Sequence, residues 1–61
     1  MRKWLKEARI KNNLTMKAVA IETGISECYY SQIENGTRRA SVEVAKRIGK
    51  FLCVPWEKFF E

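Results

Sequence analysis

The chain has 61 residues, 12 Lys or Arg against 7 Asp or Glu, a net charge of +5 and no His. That length holds a single small domain, residues 1–61, with a marginal core and little room for a deep substrate cleft. No apolar run approaches the ~18 residues a membrane span needs, and no apolar stretch follows the charged opening Met1-Arg2-Lys3-Trp4-Leu5-Lys6, so neither span nor secretory leader is expected.

The first predicted helix covers about residues 2–12. Leu5 and Ala8, with Met1 and Trp4 as further candidates, recur at three- and four-residue spacing on one stripe. Lys3, Lys6, Glu7 and Lys11 take the wet side, and Asn13 suits the left-handed residue that ends a helix. The second helix, 15–22, opens on Thr15 as N-cap with Leu14 before it, and turns Val19 and Ala20 inward. Gly24 suits its end. Helices this short are marginal alone in water, so this one must lean on its neighbours.

The third helix, 26–34, opens on Ser26 and stops at Asn35-Gly36. Ile25, Tyr30 and Ile33 form its buried stripe, which leaves Glu27, Cys28, Ser31 and Gln32 on an outer face that is small and polar. The fourth helix, 41–52, opens on Ser41 and carries Val42, Ala45, Ile48, Gly49 and Leu52 inward. Gly49 costs about 1 kcal/mol against Ala in mid-helix, so close helix packing is the expected reason for it. Pro55 starts a last helix over 56–60. No period-2 alternation occurs, so the expected class is all-α. The six large apolar residues among the last eleven argue against disorder.

The residues for catalysis are missing. Without His there is no Ser/His or Cys/His pairing, and no enzyme activity is expected. Cys28 and Cys53 form no CxxC pair, so no metal site and no cofactor are expected. Their spacing alone allows a disulfide, but a reducing cytoplasmic setting favours two free thiols.

Two short helices joined through Thr23-Gly24-Ile25-Ser26 form a helix-turn-helix. The residues Leu14-Thr15-x3-Val19-Ala20-x3-Gly24-Ile25-Ser26-x3-Tyr30-x2-Ile33-Glu34-Asn35-Gly36 resemble the Cro/repressor-type (XRE-like) helix-turn-helix of phage and bacterial regulators. Ser41-Val42-x2-Ala45-x2-Ile48-Gly49-Lys50-x-Leu52-x-Val54 and the closing Trp56-x2-Phe59-Phe60 extend the resemblance from about Leu5 to Phe60. It implies a compact five-helix, lambda repressor-like bundle. It also implies a sequence-specific regulator of transcription, a repressor, bound as a homodimer to a pseudo-palindromic double-stranded DNA operator, with no small-molecule ligand. Three positions depart from the family pattern. Ala40 stands where Pro is common, Cys53 where Gly is common, and Met16 where a Gln commonly braces a phosphate and the recognition helix.

The resemblance places Ser26, Glu27, Cys28, Ser31 and Gln32 at base edges. Gln32 is suited to adenine through both ends of its amide, and Glu27 to the cytosine amino group. It places Thr15, Met16, Lys17, Tyr29, Asn35, Thr37, Arg38 and Arg39 along the phosphates, with the planar fork of Arg matched to that anion. For Tyr29 a partly exposed ring packed on the loop is an equal reading. Arg9, on the inner side of the first helix, and Glu34, at the end of the third, are implied to form a structural ion pair. Val54, Trp56, Phe59 and Phe60 divide between closing the core against Trp4 and Leu5 and forming a dimer patch. Two other classes compete. One is a protein-interaction adaptor on the same scaffold that has lost DNA binding, against which the charge of +5 argues. The other is a basic membrane-surface binder, for which the apolar stripes are too narrow and too divided.

Overall fold

Three hydroxyl residues set where helices begin. Thr15, Ser26 and Ser41 are extended, and their side-chain oxygens accept from the amides of Ala18 (3.1 Å), Tyr29 (3.1 Å) and Val44 (3.2 Å). Each such cap contributes about 1 kcal/mol. In the computed structural model, which describes residues 2–60, the elements are α1 (Lys3–Lys11), α2 (Met16–Thr23), α3 (Glu27–Asn35), α4 (Val42–Leu52) and a 3-10 helix (Trp56–Phe60). The four α-helices start one residue later than expected because the N-cap residues lie just outside the helical backbone, α1 ends one residue earlier, α2 and α3 end one residue later, and the end of α4 and the span 56–60 are as expected. No strand occurs among the described residues.

The expected five-helix bundle is therefore four α-helices and a closing 3-10 turn. Only five residues follow Pro55 within the described chain, and the Lys58 amide bonds back to the Pro55 carbonyl at 3.2 Å, a three-residue step. That step is the i, i+3 closure of a 3-10 turn. Phe59 is buried and meets the Trp4 ring edge-on, with centroids 5.0 Å apart.

The ends of the helices share one device. A residue in the left-handed region follows each: Asn13 (φ 57°), Gly24 (φ 73°), Gly36 (φ 82°) and Cys53 (φ 58°). After each, the next amide reaches back five residues: Leu14 to Arg9, Ile25 to Ala20, Thr37 to Gln32 and Val54 to Gly49. These bonds satisfy carbonyls that the helix leaves open.

α2 packs against both α3 and α4, α1 against α3, and the 3-10 helix against α4. Leu5, Val19, Tyr30, Ile33, Ala45 and Ile48 are fully buried at the centre. One expectation about α4 is corrected. Val42 is 51% exposed, because its place directly after the Ser41 cap turns it outward, and Val44 packs on the core instead. Gly49 meets the returning chain and the start of the 3-10 helix, the close packing expected of it. A Cβ there would stand 2.7 Å from the Val54 carbonyl oxygen and 3.2 Å from the Trp56 amide. Along α1, Trp4 and Ala8 are half-buried. Met1, a candidate for that stripe, lies outside the described residues.

Cys53 is exposed, so its side chain holds no core together while its backbone bears left-handed strain. Cys53→Gly is expected to stabilise the fold by up to about 1 kcal/mol. A thermal melt of the two proteins checks this, and a lower melting temperature for the variant contradicts it.

Candidate nucleic-acid interface

The site is built around the sharp corner between α2 and α3. Gly24 makes the turn, and only Gly24, Ile25 and Ser26 separate the two helices. Tyr30, Ile33 and Glu34 form the inner side of α3. Glu27 and Cys28 are exposed and Ser31 and Gln32 half-exposed on the other side. The Ser26 hydroxyl accepts from the Tyr29 amide, which leaves its own proton free to donate.

Most of the candidate phosphate-binding residues surround this helix at the surface. Thr15 and Lys17 are exposed at the start of α2, where the first backbone amides have no intrahelical acceptor. The Met16 side chain packs against the core, so only its backbone faces that end. Asn35, Thr37, Arg38 and Arg39 are exposed after α3, and the Asn35 amide nitrogen donates to the Ser31 hydroxyl at 3.4 Å. Arg38 lies over the Tyr29 ring, 5.2 Å from its centroid, and so covers the one candidate whose role was left open. The Gln32 carbonyl is the knot of this loop. It accepts from the Thr37 amide (3.0 Å), the Arg38 amide (3.2 Å) and the Thr37 hydroxyl (3.2 Å). Cys28 and Cys53 are both free.

Behind the exposed face stands a buried ion pair. Arg9 Nε and Nη2 donate to the two carboxylate oxygens of Glu34 at 3.0 and 3.2 Å, and Nη1 donates to the Leu14 carbonyl at 2.9 Å. One guanidinium thus ties α1 to the end of α3 and to the loop that leads into α2. Glu34 is 2% exposed. The hydrogen bond to Glu34 raises the Arg9 pKa, burial works against it, and Glu34's charge adds to the rise. The Tyr30 hydroxyl lies beside the pair, buried and without a hydrogen-bond partner among the described residues. Burial first, and then the Glu34 charge, push its pKa above the usual phenol range.

Sequence reasoning overlooked two further ties. The Arg2 amide donates to the Glu34 carbonyl at 2.9 Å and the Arg2 guanidinium to the Ile33 carbonyl, so Arg2 closes the carbonyl end of α3. Arg47 reaches from α4 to the Thr23 carbonyl at the end of α2 and pairs with Glu43 one turn away. The second left a trace as an i, i+4 Glu–Arg spacing. The first left none, because nothing local marks a long side chain that caps a distant helix.

The Helix-turn-helix family model matches residues 5–59 of this chain. Over all 61 residues the chain is 49% identical to the uncharacterized HTH-type transcriptional regulator YqaF of Bacillus subtilis (strain 168), a match that spans 80% of that protein. No solved structure gives a significant match. The chain belongs to the helix-turn-helix family of transcriptional regulators. No helix among the described residues is long and apolar enough to cross a membrane.

Two outcomes follow from the inner pair. Arg9→Met strands a buried carboxylate and is expected to cost about 3–5 kcal/mol. For a chain this short that is a fall of more than about 10 °C in melting temperature, and Glu34→Leu added to it restores part of the loss. Denaturation of the three proteins measures both effects. Tyr30→Phe removes a hydroxyl that bonds to nothing and is expected to leave neutral-pH stability within about 1 kcal/mol. Because the folded-state Tyr30 pKa lies above its unfolded value near 10, the folded state keeps a proton that the unfolded chain releases there. That contribution to stability is complete below about pH 10 and is lost as pH rises further. Melts from pH 8 to 11 are expected to fall less steeply for Tyr30→Phe than for the parent.

Proposed function

We propose that the chain is a sequence-specific double-stranded DNA-binding repressor that lays α3 in the major groove. The observation that carries this reading is the asymmetry of α3. Its inner side is sealed into the core through Tyr30, Ile33 and Glu34, and its outer side exposes Glu27 and Cys28 and half-exposes Ser31 and Gln32. A helix with small polar residues on its free flank fits a major groove about 12 Å wide. Ser26 donates at the edge of this face, and Gln32 and Cys28 lie at its middle.

Affinity in this reading comes from charge. Arg38, Arg39 and Thr37 lie at one end of α3, and the Thr15–Lys17 start of α2 offers free amides to a phosphate. The surplus of +5 supplies the counterion release that drives nucleic-acid binding.

The protein acts as a homodimer on a pseudo-palindromic operator, with half-sites about 34–36 Å apart. Of the four apolar residues at the chain end, Phe59 is core. Val54 and Trp56 are half-buried, and Phe60 is 41% exposed with its ring edge-on to Trp56. Val54, Trp56 and Phe60 are therefore the residues of this group open to a second copy. The reading places the protein in the bacterial cytoplasm, free of cofactors and without catalysis.

Selection of binding sites from a random duplex pool tests the proposal, since it reads binding, sequence and half-site spacing together. Enrichment of a two-fold symmetric sequence is expected. Binding by Arg39→Ala is expected to weaken on all sequences alike and to lose about 0.9 from the slope of log affinity against log salt for each phosphate contact removed. Gln32→Ala is expected to relax preference at one base pair per half-site. Failure to retain any duplex at low salt overturns the reading in favour of a protein-binding adaptor.

A further inference from the structure

Arg38 touches two residues of α3 at once. Its guanidinium lies over the Tyr29 ring, 5.2 Å from the centroid, and its Nη1 stands 3.5 Å from Oε1 of Gln32. The backbone reinforces this arrangement, because the Arg38 amide itself bonds to the Gln32 carbonyl at 3.2 Å. Resting on the proposed DNA reading, we infer that Arg38 is a positioning residue for base recognition, which fixes the orientation of the Gln32 amide and makes its amino end the part offered to DNA.

The chemistry is one of donors and acceptors. A guanidinium carries only donors, so the Gln32 atom that faces it must be the carbonyl oxygen. The amide cannot turn over about its last torsion without setting its NH2 against a cation. Stacking on Tyr29 keeps the guanidinium plane in place, and a cation over an aromatic face is itself held there electrostatically. Oε1 is drawn towards the loop and its capacity to accept from a base is partly used. Nε2 and its two hydrogens are left for the groove.

This revises the expected adenine contact. Reading adenine through both ends of an amide needs Oε1 to accept from the adenine amino group. An amide that leads with its donor selects edges rich in acceptors instead: guanine offers N7 and O6 and thymine O4, whereas adenine sets the donor of its amino group beside its one acceptor, N7. Arg38 then acts on sequence choice as well as on overall affinity, whereas Arg39, exposed beside it, has only its charge to contribute.

Site selection and competition binding on the full chain test this, with Gln32→Ala used to identify the base pair that Gln32 reads. The parent is expected to prefer guanine or thymine over adenine at that position. Arg38→Met and Tyr29→Leu are both expected to cut discrimination at that base pair about tenfold, although only the first changes the charge. Arg39→Met is expected to leave discrimination unchanged while lowering affinity throughout. Thermal melts establish that each variant is folded at the assay temperature. Adenine as the preferred base in the parent, or an equal loss on all sequences for Arg38→Met, overturns the inference while leaving DNA binding intact. A parent that enriches no sequence overturns the DNA reading and this inference with it.

Discussion

The arrangement of the helices depends on one buried contact, the two-pronged bond from Arg9 to Glu34. Isolated charges are costly to bury, and this pair meets the requirement by filling its bonding capacity. The guanidinium gives two donors to the carboxylate and a third to the Leu14 carbonyl, so three chain segments converge on one cation. Apolar packing of Tyr30 and Ile33 resists rotation of α3 through shape alone. A planar fork set against a carboxylate adds direction to that packing, in the same orientation that turns Tyr30 and Ile33 inward and Gln32 outward. Specificity of arrangement, more than net stability, is what a buried pair of this kind supplies here.

The small size of the chain makes such fixed points necessary. Helices of eight to eleven residues contribute little by themselves, and each is delimited by local chemistry that prevents overrun. Hydroxyl caps open three of them and a left-handed residue follows all four. These signals are local, and for that reason most of the all-α architecture was legible in the sequence. Thr15, Ser26, Ser41, Gly24 and Gly36 carry short-range meanings that tertiary context did not override. The last segment was misread because apolar content marks burial without distinguishing an α-turn from a 3-10 turn. Val42 was misread because spacing gives a stripe but not its phase at a helix end.

The candidate interface divides along the same line. The outer face of α3 could be drawn from periodicity, since the inner residues there are large and the outer ones small. The roles of the loop residues came from family resemblance and not from any pattern in the chain. Contacts made by long side chains over many residues left no mark: Arg2 on the end of α3, Arg47 on the end of α2, Arg38 folded over Tyr29. Arginine at an exposed position reads simply as charge. Its bonds depend on which carbonyl or ring the fold happens to bring within reach.

Glu34 is committed twice to the first helix, its carboxylate to Arg9 and its main-chain oxygen to the Arg2 amide. Both ends of α1 thus hold the last turn of α3 at one residue. A helix pinned in this way at one end resists sliding along its own axis. Under the proposed reading, distortion then falls to the duplex as the softer partner, and bases that are never touched gain influence through how readily they twist or bend.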